Sequence, residues 1–242
     1  MNRPAVAAQT RIELMMTMRR GESLLVTLVI PLGILVFFSK VDAVKVTGSS
    51  IDFLVPGVLA LAVMSTAMVS LGIATGFERR YGVLKRLGVT PLSRAGLLTA
   101  KTANVLAIEV LQAVLILGTG VALGWHATAG ILPALGLLLI GTVAFAGIGM
   151  LMAGTLRAEA NLAAANGLFL VLLFLGGMAY PLDKLPDALE LVAKALPAAA
   201  LSECVRGALA SPSHIPVGEL LVLLAWAVGA PLVAIRAFRW EE

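Results

Sequence analysis

Charged side chains are scarce in this 242-residue sequence: Asp, Glu, Lys and Arg make up 13% of it, against about a quarter in an ordinary soluble domain. So little polar surface cannot cover a water-exposed globule. With 60% apolar residues and a mean hydropathy of +0.99, lipid must be the solvent. Cysteine is nearly absent. The lone Cys204 excludes an internal disulfide, a thiolate metal cluster and a CxxC redox pair. The two histidines, His126 and His214, lie far apart without ligand spacing, so they read as solvated loop residues and no metal site is expected. Aromatic residues reach only 5%, with three Trp and two Tyr. Sugar chains are gripped by stacking on rings, so this scarcity argues against a polysaccharide ligand and for a lipophilic small molecule or lipid. No GxxxxGK(S/T) phosphate-binding loop occurs, hence no cofactor is expected in this chain. Clustered His, Cys or paired carboxylates are missing too, which ranks a membrane-embedded enzyme last.

What the sequence does contain is a series of apolar runs. About 20 apolar residues cross the hydrocarbon core as a helix, and six stretches qualify: 22–39, 53–75, 97–124, 131–156, 162–180 and 217–238. The expectation is an all-α polytopic protein, residues 1–242 forming a single transmembrane domain with six transmembrane helices. Residues 1–21 precede the first span. On a helical wheel Ala8, Ile12, Met15 and Met16 share one side, and Gln9, Glu13, Thr17 and Arg20 the other, as suits an N-terminal interfacial amphipathic helix. Pro31 in the first span predicts a kink, because one backbone hydrogen bond is lost. The net charge of +4 sits in short segments flanking the apolar runs, which is an orientation signal and not a nucleic-acid surface. Of the 18 Lys and Arg, twelve fall in the N-terminus, 77–94, 157–159 and the C-terminus, and five in 40–52, 125–130 and 181–216. That bias puts both termini in the cytoplasm and the long loop 181–216 outside.

The segment 77–94 stands out among the connections. Phe77, Tyr81, Leu84 and Gly88 form a stripe at helical spacing, while Glu78, Arg79, Lys85 and Arg86 spread round the other side. Thr90-Pro91 then stops the helix. The pattern predicts a short ordered amphipathic helix between the second and third spans. Inside the membrane, Glu109 falls near mid-depth of the third span, with Gln112 one turn on. A carboxylate there costs about 2.5–3.5 kcal/mol on insertion scales, so it should face protein or water. It reads equally as a polar patch on a substrate path or as an interhelical contact. Lys101 is expected to snorkel to the cytoplasmic boundary, and Asn161 and Asn166 to be caps or packing residues. Met64 and Met68 share one face of the second span and could line an adaptable apolar cavity, although methionines at this spacing usually pack. Gly72/Gly76 and Gly120/Gly124 have the spacing that lets helices approach closely, within one chain or between two.

Three motifs occur in order: Asp52-Phe53-Leu54-Val55-Pro56-Gly57, then Glu78-Arg79-Arg80-Tyr81-Gly82-Val83-Leu84-Lys85-Arg86-Leu87, then Thr90-Pro91-Leu92-Ser93-Arg94. With Pro181-Leu182, Leu185-Pro186, Leu196-Pro197 and Arg206-Gly207 downstream, the chain resembles the permease subunits of type-2 ATP-binding-cassette exporters, drug and antibiotic-resistance branch. The resemblance implies that residues 78–87 form the cytoplasmic coupling helix between helices 2 and 3, resting on a separate ATP-binding-cassette ATPase subunit that holds ATP and Mg. Phe77, Glu78, Arg79, Arg80, Tyr81, Gly82, Leu84, Lys85 and Arg86 would be its contact residues. It implies extracellular re-entrant helices between helices 5 and 6, to which the stripe Leu185, Leu189, Val192 and Leu196 conforms. It also implies a second permease copy or homologue, and residence in the cell (plasma or inner) membrane. Ala198-Ala199-Ala200 departs from the hydroxyl residue that many relatives carry after the proline. Met64, Met68, Glu109 and Gln112 are the candidates for the substrate path. The competing reading is a proton-coupled secondary transporter built on Glu109.

Overall fold

Helices hold nearly all of the described residues, and no strand occurs among them. The computed structural model describes residues 3–19, 21–41, 50–126, 130–178, 181–210 and 212–240; Arg20 and Tyr180 lie outside that set. In chain order the helices are α1 (Arg3–Arg19), α2 (Gly21–Val41), α3 (Ser50–Met64), α4 (Leu71–Arg80), α5 (Val83–Gly88), α6 (Arg94–Ala122), α7 (Ile131–Thr155), α8 (Ala158–Leu175), α9 (Asp187–Lys194), α10 (Pro197–Leu209) and α11 (Val217–Ala237). Five rods are long and apolar enough to cross a membrane: Ser50–Arg80, α6, α7, α8 and α11. Within α2, Thr27–Val41 is a further apolar stretch among the fully described residues.

The longest rod organises the rest. α3 passes through a π-helical turn, Ser65–Ser70, straight into α4, making 31 residues of continuous helix. At 1.5 Å per residue it measures about 46 Å, more than the ~30 Å hydrocarbon core. The helix therefore does not end near residue 75, as the sequence pattern suggested. No breaker intervenes before Gly82, so it runs on to Arg80. The apolar part of this rod is 83% buried, against 22% for α8 and 17% for α11. The rod is the core, and α8 and α11 leave most of their apolar surface exposed on the outside of the bundle.

Glycine makes the packing around this rod possible. A Cβ on Gly149 of α7 would stand 2.6 Å from the Met68 carbonyl oxygen, and one on Gly76 would stand 2.6 Å from Asn161 Nδ2 on α8. The Gly72/Gly76 pair is thus consumed by contacts inside the chain. Gly120 packs on Val55 of α3, while Gly124 lies beyond the end of α6 with φ +94°.

α1 lies against α6 with its polar side inward. Gln9 and Glu13 are buried, and Asn104 Nδ2 of α6 donates to Thr17 Oγ1 at 3.1 Å. Ile12, Met15 and Met18 point outward, exposed. This arrangement is inverted relative to a soluble protein and fits a helix whose apolar face meets lipid.

Between α8 and α11 the chain makes a short 3-10 turn, Leu182–Lys184, then α9 and α10. α10 inserts among α3, α7, α8 and α11, and Ala198, Ala199 and Ala200 are sealed from solvent. Small residues are required where α10 passes Gly176, because Ala198 Cβ already crowds that position. The hydroxyl expected after Pro197 stands instead at Ser202, which donates to the Gly176 carbonyl at 2.5 Å. The Leu185–Leu196 stripe is divided. Leu185 and Leu196 are partly covered, whereas Leu189 and Val192 are exposed.

Candidate functional site

The segment predicted as one amphipathic helix over 78–87 is two pieces with a corner between them. Residues 78–80 are the last turn of the long rod. Tyr81 donates its N–H to the Phe77 carbonyl at 2.9 Å and Gly82 to Arg79 at 3.0 Å. Gly82 then turns left-handed at φ +72°, the usual glycine stop for a helix. α5 starts again at Val83, and the Thr90 hydroxyl donates back to the Leu87 carbonyl at 2.6 Å to close it.

This corner sorts the nine candidate contact residues into two sets. Arg80, Tyr81, Lys85 and Arg86 are exposed, and the half-buried Phe77 ring stacks on Tyr81 at 6.2 Å between centroids. Leu84 is buried, and Gly88 sits under the Trp240 ring of the C-terminal segment. Two charged members turn inward as well. Arg79 Nη2 donates to the Leu156 carbonyl just past the end of α7 at 2.5 Å, where the helix dipole favours a cation. Glu78 faces Lys101.

Lys101 does not snorkel. Its side chain is 1% exposed, and Nζ lies 2.7 Å from Glu78 Oε2 and 2.9 Å from Glu13 Oε1. Gln9 Nε2 donates to the same Glu13 carboxylate at 2.8 Å. Three elements, α1, α4 and α6, are therefore pinned by one ammonium. A snorkelling lysine needs a route to water for its head group, and α1 covers that route. Next to the triad lies a small polar cavity of about 110 Å³, which reaches Thr27, Thr66 and Asn104.

Further along α6, Gln112 repairs a backbone defect. Pro31 offers no N–H to the Thr27 carbonyl four residues back, and Gln112 Nε2 donates to that carbonyl at 3.0 Å. Its Oε1 accepts from the Thr66 hydroxyl in the π-helical turn at 3.2 Å. Glu109 is 7% exposed. Its Oε2 takes the Thr142 hydroxyl of α7, and its Oε1 meets no donor among the described residues. Glu109 and Gln112 share a cavity of about 250 Å³ between α3, α6 and α7. Met64 and Met68 do not join them; both are fully buried in the packed core of the long rod.

At the other end of the bundle, the Asp52–Gly57 motif has a packing explanation. The Arg206 guanidinium lies 4.1 Å above the Phe53 ring centroid, pairs with Glu203 and donates to the Gly177 carbonyl at 2.7 Å. Burial lowers the pKa of Arg206 from its ordinary value, and Glu203 opposes that shift. A Cβ on Gly57 would stand 2.2 Å from the Met178 carbonyl oxygen, so the motif lets α3 sit tightly against the turn after α8. Asn161 Nδ2 donates to the Gly72 carbonyl at 2.8 Å as an interhelical packing residue, and Asn166 bonds within its own helix.

The family model for ABC-2 type transporters matches residues 5–210. The chain belongs to the ABC-2 type transporter family. No curated protein matches it. The matched stretch runs from α1 through α10, so the inverted amphipathic helix, the long rod with its corner and the inserted α10 all belong to the ABC-2 unit. An ABC-2 membrane domain is a non-catalytic component of a transporter, and the family ordinarily works with a separate ATPase subunit.

The inward residues were not legible as a site beforehand. Glu13, Lys101, Thr142 and Asn104 carry no motif, and their partners lie on helices distant in sequence. One signal was available: a lysine seven residues into a spanning helix, eight residues ahead of a carboxylate, is a charge that lipid will not accept unpaired.

Proposed function

We propose that the chain is the permease subunit of an ATP-driven exporter, drug and antibiotic-resistance branch, carrying a lipophilic small molecule or a lipid out of the cell. A separate ATPase subunit would hold ATP and Mg, and a second permease copy or homologue would complete the pathway. In this reading α2 joins the other five rods as the first of six spans, both termini are cytoplasmic, and α9 and α10 re-enter from the outer side. The proton-coupled reading gains no support from family membership.

The observation that carries the reading is the corner at Gly82. It presents Tyr81 and the basic side chains of α5 at the end of a rod too long to stay within the bilayer. A partner pressing on Tyr81 pushes along the helix that forms the bundle core. Side chains pack in the interior without slack, so the push reaches the Gly72–Gly149 contact and the π-helical turn as rigid motion. Glu78 and Arg79 act inside the chain by fixing the rod to α1, α6 and α7.

The test is co-reconstitution with the ATPase subunit. Tyr81→Ala combined with Arg86→Glu is expected to lower transport-coupled ATPase activity about tenfold, the effect of losing one ~1.4 kcal/mol contact, with insertion unchanged. Coupling equal to that of the unaltered chain would remove the docking role.

A further inference from the structure

The cavity beside Glu109 has apolar walls, and its few polar atoms lie in its interior. Leu59 and Val63 come from the long rod, Val110 and Ala113 from α6, and Leu135 and Leu139 from α7. Val110 is 64% exposed, Leu139 48% and Leu135 43%. The mouth therefore lies on the outer surface of the bundle, among exposed apolar residues. Two polar side chains line the interior. Gln112 engages its amide oxygen with Thr66 and one N–H with the Thr27 carbonyl, so neither atom is without a partner. Glu109 has spent one oxygen on Thr142, and Oε1 has no partner. That oxygen is the uncommitted polar atom of an otherwise apolar pocket.

We propose that this cavity binds the nitrogen end of a lipophilic amine drawn sideways from the bilayer. A buried carboxyl oxygen without a donor is costly, and an amine N–H meets that need with a charge-assisted hydrogen bond. Other occupants fit less well. Water needs two to four polar partners, and one is on offer. A divalent cation needs several oxygen ligands, and no cluster of three or more acidic, His or Cys side chains occurs among the described residues. An acyl chain fills the walls and leaves Oε1 unmet, and an anion brings no N–H to it. The volume is below the roughly 300–1,000 Å³ of a drug-sized pocket. The site thus takes the amine and one short apolar arm, and the rest of the molecule stays in lipid. This rests on the permease reading only in making the bound amine a candidate cargo.

The experiment uses the full chain in phosphatidylcholine nanodiscs without any ATPase. A diazirine-bearing alkylamine is photo-crosslinked and competed with dodecylamine, dodecanol or dodecyltrimethylammonium. Labelling is expected on Val110, Leu135 and Leu139, with dodecylamine displacing the probe at about one tenth the concentration of dodecanol. Dodecyltrimethylammonium, which has no N–H, falls between them. Glu109→Gln, which keeps a partner for Thr142, is expected to erase the preference for the amine, and Ala113→Phe to remove labelling by filling the space. Equal displacement by amine and alcohol in the unaltered chain overturns the proposal and makes the cavity an acyl-chain groove. Because ATP plays no part, failure here leaves the Tyr81 docking role standing, and a failed docking test leaves this one standing.

Discussion

Lys101 shows how a single side chain can be decisive and yet invisible in the sequence. The pattern placed it near a boundary, where a lysine ordinarily reaches for water. The fold instead covers it with α1 and supplies Glu13 and Glu78. Removing one partner of a buried ionic cluster costs about 3–5 kcal/mol, because the charges left behind stay buried. Lys101→Met is therefore expected to lower the thermal stability of the detergent-purified chain clearly. Adding Glu13→Gln and Glu78→Gln to the same chain should restore most of the loss. If Lys101→Met melts like the parent protein, the triad contributes nothing. Glu109 illustrates the converse. That it should face protein or water was readable from its place in an apolar run, but Thr142 as its partner was not, since helix periodicity gives a face and never names the residue opposite. The methionines Met64 and Met68 are fully buried along the long rod.

Among the elements, α4 and α5 show a pattern whose geometry the structure redraws. Polar and apolar spacing found the segment, yet the stripe of Phe77, Tyr81, Leu84 and Gly88 straddles a corner. A left-handed glycine resets the phase of the helix, and a wheel drawn through Gly82 is invalid on one side of it. No atom lies within 4 Å of where a Cβ would stand on Gly82, so the constraint there is the backbone alone. Forcing an ordinary L-residue into this region costs about 1–2 kcal/mol. Gly82→Ala is expected to leave insertion intact while lowering ATPase-coupled transport several-fold, and Gly82→Asn, which tolerates the left-handed region, should recover much of it. Coupling that is identical in all three would mean that the corner has no mechanical role. Gly149 was not singled out in the sequence at all. Its demand comes from the Met68 carbonyl on another helix, and no local signal reports such an approach.

At the scale of the whole molecule, hydropathy revealed the helical rods because a bilayer imposes length and polarity together. It could not foresee that the second rod would become the core, or that α10 would bury its alanines among the others. Orientation rests on the charge bias and is open to direct measurement. Cys204 is fully buried on α10, and burial above all, with Glu219 and Glu203 nearby, pushes its thiol up to about 12. A group with so high a value stays protonated and unreactive through neutral and mildly alkaline pH. The unaltered chain should therefore take up no maleimide until it is unfolded. It then serves as its own silent background for Tyr81→Cys, expected to react only after cells are permeabilised, and for Lys184→Cys, expected to react in intact cells. Reaction of Tyr81→Cys from outside would reverse the topology.

Trp240 presses against Gly88 while Arg239 holds the Gly154 carbonyl at 3.2 Å. A purification handle inserted directly after Trp240 would adjoin a ring that braces α5. Fusions at that end risk slackening the brace and mimicking a coupling defect, so recombinant work on this protein should place affinity labels elsewhere.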